Sequence, residues 1–171
     1  MFDRSTFWPE MPDWEQARIM VPGLDISVSG DARAVFLLGG APQAIAALAA
    51  PHLGLEATLL WIAADRALLV AALGVELAEG WHDSGVAISA LHDAHLRIDI
   101  RGPAAAELLR RGSLSLALSD KGPGTALSFA GVTVLVEHLA DGARLHVERP
   151  LAAHVWHWLL AAISTTTEDH P

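Results

Sequence analysis

Residues 89–112 read SALHDAHLRIDIRGPAAAELLRRG. Leu96, Ile98 and Ile100 alternate with Arg97, Asp99 and Arg101, the period-two pattern of a strand with one apolar and one polar face. Gly102-Pro103 stops it, and Pro103 suits a first helical position because its missing N–H has no partner there. A helix over 104–111 places Ala105, Leu108 and Leu109 on one face. Arg110 and Arg111 fall in its last turn, where the helix dipole favours cations, and Gly112 closes it.

Upstream, His82-Asp83-Ser84-Gly85 is a polar turn and marks a border between two halves. Before it, Leu73, Leu77 and Trp81 recur every four residues, predicting a short helix with Trp81 buried. Thr58–Ala63 and 67–72 form a hairpin around Ala64-Asp65-Arg66. Pro42 opens a helix running to about Ala50, and Leu24–Val28 and 34–38 are strands flanking a Ser29-Gly30-Asp31 turn. Downstream, 113–118 is extended and 119–124 a loop. Strands Thr125–Phe129 and 132–138 join at Ala130-Gly131, an Asp-Gly hairpin turn spans 140–142, and 144–148 is the return strand. Pro150 starts a last helix over 151–163, and 164–171 is a polar tail expected to be disordered.

The halves look alike. TLLWIAADRALLVA, from Thr58, lines up with TVLVEHLADGARLHVE, from Thr133, and VFLLGGAPQAIAAL with IDIRGPAAAELL. The expected fold is α+β: two similar strand–helix–hairpin–helix halves with mixed or antiparallel sheets, packed together because one such unit leaves a face uncovered. The expected organisation is an N-terminal arm over 1–22, a first half over 23–84, a second over 85–163, and the tail.

At 171 residues the chain has room for one domain or two small halves sharing a core. Only 11 Lys and Arg at a net charge of −9 argue against binding nucleic acid, which needs a basic stripe to neutralise phosphates. No window is apolar enough to span a membrane. The start, MFDRSTFWPE, lacks the apolar core of a secretory signal, and there is no cysteine, so a cytoplasmic location is expected. A hydrophobic content of 52% exceeds what a core this small needs, pointing to surface buried against another subunit.

Candidate chemistry is sparse. His154 and His157 share the outer side of the last helix, an i, i+3 pair that lacks the further ligands of a tetrahedral metal site. On that helix Leu151, Val155, Trp158, Leu159 and Ala162 form the expected core face, flanked by Trp156 and Ile163. In His92-Asp93-Ala94-His95, an extended backbone would send His92 and Asp93 to opposite faces, against a joint acid–base role. His138 and His146 are expected near each other across the 140–142 hairpin. Nucleotide-binding, hydrolase and metalloprotease motifs are absent, and Gly39-Gly40 and Gly122-Pro123-Gly124 read as turns. No catalytic, cofactor-binding or metal residue is expected. Phe7, Trp8, Trp14 and Trp156 are the candidate partner-interface residues, since aromatics anchor interfaces. For Phe7, Trp8 and Trp14 the competing reading is an arm folded back over its own domain.

The strand ending in Gly102-Pro103 and followed by Ala-Ala-x-Leu-Leu resembles the core motif of the aminomethyltransferase-like (T-protein) folate-domain superfamily. Over about residues 55–163 the chain is similar in particular to the small gamma subunit of heterotetrameric sarcosine oxidase. The carriers are LWIAADRALLVA, LRIDIRGPAAAELLRRG, GVTVLVEHLADGARLHV and RPLAAHVWHWLLAAI, the last matching the family's closing pattern through Arg149, Ala153, Trp156 and Trp158. The resemblance implies a shortened aminomethyltransferase folate-binding domain, acting as a non-catalytic subunit that supports assembly with larger catalytic oxidoreductase subunits. It implies no cofactor on this chain alone, with flavin, haem or tetrahydrofolate in the partner subunits. The family's acidic position before the central strand is replaced around Ser89-Ala90, and Leu91-His92-Asp93 stands where the family often has Val-Ser-Asp. The first difference argues against an independent folate site, the second for an N-methyl amine other than sarcosine. Two alternatives remain: a stand-alone tetrahydrofolate or small-ligand-binding module, and a subunit of a haem- or flavin-dependent secondary-amine monooxygenase. The Asp120–Gly124 stretch (120–124) is the loop expected to shape a neighbour's site.

Overall fold

The alternating stretch forms strand β8 (His95–Arg101), and the turn after it leads into helix α2 (Ala105–Gly112). The structure is a computed structural model, and it describes residues 11–30, 32–54, 57–113 and 125–167. Phe7, Trp8, most of the predicted extended segment 113–118 and the 119–124 loop lie outside the described residues. Gly102 turns the chain at φ +109, and a Cβ there would stand 2.5 Å from the carbonyl oxygen of Gly23, so no other residue fits without strain. Pro103 precedes the helix by two residues instead of opening it.

Two helices and the remaining strands complete the described chain. In order they are β1 (Arg18–Val21), β2 (Leu24–Val28), β3 (Ala34–Gly40), α1 (Pro42–Ala49), β4 (Thr58–Ala63), β5 (Arg66–Ala71), β6 (Gly80–His82) and β7 (Val86–Ala90). After α2 come β9 (Thr125–Phe129), β10 (Val132–Leu139), β11 (Gly142–Glu148) and α3 (Ala152–Thr167). The strand order is β1-β2-β8-β11-β10-β9-β4-β5-β3-β7-β6. All pairings are antiparallel except one parallel rung, Trp61 to Thr125, which joins two antiparallel sheets. The fold is therefore α+β, as the pattern of the sequence indicated.

With β9 set aside, the order reads alike from both ends: β1-β2-β8-β11-β10 against β6-β7-β3-β5-β4. The paired hairpins β4–β5 and β10–β11 are the segments whose sequences line up. The two halves are also interlocked. β2 runs just before β3 in sequence yet pairs with β8, while β7 runs just before β8 yet pairs with β3. So Leu24–Val28 and the strand after it do not flank a hairpin, and a cut after residue 84 follows the chain but not the sheets.

Local expectations fail at three further places. Residues 73–79 form no helix; Gly74, at φ +94, breaks any helical run, and Trp81 on edge strand β6 is 74% exposed instead of buried. The β10–β11 turn is Ala140-Asp141, and Gly142 belongs to β11, where a Cβ would collide with the Ile100 carbonyl. Helix α3 runs on to Thr167, four residues into the segment expected to be a tail.

The larger core lies under α2 and α3, where Ile98 and Ile100 of β8 meet Leu109, Phe129, Leu145 and Leu159. A second packs Phe36, Leu38 and Ile88 against Ile45 of α1. A small third cluster, Val35, Leu60, Leu68, Val70 and Leu135, stitches β3, β4 and β5 to β10. Among the described residues, no helix is long and apolar enough to cross a membrane.

Candidate binding cleft

The polar side of β8 is not a solvent face. Arg97 is 9% and Asp99 7% exposed, because β2 and β11 flank the strand and the first sheet's hairpin comes against the same side. Burying charge is costly unless it is paired, and Asp99 is paired twice over, whereas Arg97 is set against a histidine. Across β8 and β11, His95 faces Glu148, Arg97 faces His146, and Asp99 faces Arg144. Arg144 grips Asp99 with Nε at 2.6 Å and Nη2 at 2.9 Å, the two-pronged geometry that suits guanidinium to carboxylate. Arg101 joins the same carboxylate at 3.2 Å and reaches Asp141 at 2.7 Å. Glu137 of β10 accepts from His146 Nε2 at 3.0 Å, and the Thr58 hydroxyl of β4 donates to it at 2.9 Å, so this layer ties the two sheets together.

The surroundings set the protonation of this layer. Burial pushes His146 below the usual histidine range, against the pull of Glu137. Burial, reinforced by nearby His146, does the same to His95, with Glu148 opposing. Burial opposes ionisation of Glu137, but the His146 and Thr58 hydrogen bonds and nearby Arg144 outweigh it, and its carboxyl lies below the usual range.

At one end of the layer an open cleft of 490 Å³ forms where the two exchanged connections cross. The chain leaving β2 is held by Ser29 N–H on the Arg97 carbonyl at 2.8 Å, and the chain leaving β7 by Leu91 N–H on the Val35 carbonyl at 2.7 Å. Residues 92–94 form a turn, not an extended strand, so His92 and His95 reach the same cleft. His92 takes the Val35 N–H on Nδ1 at 3.0 Å, which leaves Nε2 as the ring's N–H donor, and its ring stands edge-on to Phe36. Arg33, Arg97, Arg149, His92, His95 and His146 all line this space. Sequence spacing could not gather them, because they come from three separate segments, around 33, 92–97 and 146–149, joined by long-range pairing.

The other expected residues fall elsewhere. Trp14 is half-buried and stands edge-on to Trp156, ring centres 6.1 Å apart. Trp156 is only 5% exposed, packed in the chain's own core, while Trp158 is the half-buried one, edge-on to Phe129 at 5.0 Å. The two tryptophans thus exchange the positions expected of them, because α3 is apolar on nearly every side and its phase was open. His154 Nε2 donates to the Ala130 carbonyl at 2.8 Å and His157 Nδ1 to the Ala153 carbonyl at 2.7 Å. His138 is exposed and faces Ala143, whereas His146 faces Leu135, and the two histidines lie on opposite sides of their sheet. Among the described residues, no three metal-ligating side chains come together.

No family model matches the chain, and no curated protein matches it in sequence. Its fold is similar to that of a chain in the heterotetrameric sarcosine oxidase of Corynebacterium sp. U-96, solved in complex with pyrrole 2-carboxylate. The TM-score is 0.62 at 21% identity, covering 83% of this chain and 84% of that chain. At that identity the likeness is one of fold: this chain shares the architecture of that sarcosine oxidase chain over more than four-fifths of both.

Proposed function

We propose that the chain is a small, non-catalytic subunit of a multi-subunit oxidoreductase that demethylates sarcosine or another N-methyl amine. The observation that carries this reading is the fold match, which spans more than four-fifths of both chains and comes from a heterotetramer. In this reading flavin, haem or tetrahydrofolate belongs to larger catalytic subunits, and this chain supports their assembly in the cytoplasm. Phe7, Trp8 and Trp14 are, in this reading, the residues that contact those partners. Trp156, buried beneath Trp14, is the floor that fixes Trp14's orientation.

Native mass spectrometry of the tagged chain purified from its own cells tests this. The expected result is a hetero-oligomer in fixed ratio with larger chains that carry flavin or haem and release formaldehyde from an N-methyl amine. Recovery of the chain alone, monodisperse and soluble, would overturn it.

A further inference from the structure

The cleft where the exchanged connections cross combines several features that point to a ligand. Three arginines line it, Arg33, Arg97 and Arg149, in a protein whose net charge is −9. The acidic groups on its rim, Asp93 and Glu76, are both exposed, while Arg97 at its floor is 9% exposed. Charge in a poorly solvated floor acts more strongly than the same charge in open water. Most of the polar side chains reaching in are donors: guanidinium N–H groups, which cannot accept, and His92 Nε2–H. His95 Nδ1 is buried there without a hydrogen-bond partner. Apolar walls from Val35, Leu73 and Val75 complete the space. Its 490 Å³ falls within the range that holds small molecules.

We propose that this cleft is a binding site for a small organic anion, with a carboxylate or phosphate group seated over Arg97 between Arg33 and Arg149 and an apolar body against Val35 and Val75. A planar acid group matches the fork of a guanidinium, and a donor-lined floor rejects cations and neutral apolar molecules. Arg149 is fixed at the rim through Nε to the Asp93 carbonyl at 2.8 Å and through its own N–H to the Ala94 carbonyl at 2.8 Å. Arg149 and His92 are therefore held by backbone, not left to find the ligand. This site does not depend on the subunit reading, because a ligand fits the cleft whether or not the chain has partners.

The test is calorimetry and amide NMR on the full chain at neutral pH, with inorganic phosphate and with glutarate as probes and sodium chloride at matched ionic strength as reference. Saturable binding of either probe, with amide shifts confined to residues 29–35, 73–76, 91–97 and 146–149, supports the site, and the probe that binds names the acid group. Arg33→Gln combined with Arg149→Gln is expected to weaken it about tenfold or more. Arg33→Lys, which keeps the charge but loses the fork, should weaken it less, and Arg66→Gln, on a different surface, should leave it unchanged. Equal responses to chloride and to both probes, or undiminished binding in the double variant, would overturn the proposal.

Discussion

Gly112 ends α2, but its small size matters for a different reason than the helix end. A Cβ there would run into the ring of Phe129, which is fully buried and stands edge-on to Trp158. The glycine lets α2 and α3 close on that ring from two directions. A methyl group added at a closely packed site has to push rings or backbone aside, at about 1–3 kcal/mol. Gly112→Ala should therefore lower the melting temperature, by roughly 2–4 °C for each kcal/mol in a chain of this size. Gly39→Ala, where an added Cβ meets nothing within 4 Å, should stay within about 0.5 kcal/mol of the parent. Thermal unfolding of the two variants side by side checks this, and equal behaviour would remove Phe129 as the reason for the glycine.

The charged layer shared by β8, β10 and β11 makes stability depend on pH in a definite direction. His95 and His146 both lie below their ordinary value of 6.5 when folded, so the unfolded chain takes up protons first as the solution is acidified. Their contribution is complete above pH 6.5 and is lost as the pH falls from there toward the folded values. Glu137, also lowered, from 4.5, adds a second loss as the pH falls below that value. Urea midpoints should drop between pH 7.5 and 5.5, and again in more acid solution. In His146→Gln, where an amide keeps a donor near Glu137, the first drop should shrink; an unchanged slope would show that the burial of His146 is not its cause. The same layer shows how far local sequence could be read. Alternation along 96–101 identified the strand and its apolar side, because both are local properties. It put Arg97 and Asp99 on the polar face but could not tell that this face is buried, because whether a polar face is covered depends on partners far away in sequence.

Across the whole molecule the legible and illegible parts divide along the same line. The hairpins β4–β5 and β10–β11 and the strand-to-helix passages into α1 and α2 were readable from periodicity and from Gly and Pro. The matching of the two halves followed from comparing those segments. The exchange of β2 and β7 was not readable, since antiparallel strands of similar composition carry no local mark of which strand they will join. Nor was the cleft, whose lining is gathered by that exchange. A fragment ending at residue 84 lacks both β7, which completes the sheet of β3, and β8, on which β1–β2 lie. It should show no dispersed NMR spectrum alone and should gain one when mixed with residues 85–171; independent folding of 1–84 would contradict the exchange.

The crossing of these connections also sets an order of events during synthesis. The β1–β2 hairpin leaves the ribosome well before the strand that receives it, β8, which ends only at Arg101. Until then the hairpin has no sheet, and β3 keeps an open edge awaiting β7. Chains that fold from the N-terminus as they emerge usually finish their first part first. Here the β1–β2 hairpin, complete at Val28, has to wait until Arg101 has emerged before it has a place to sit, and the newborn chain needs protection over that interval.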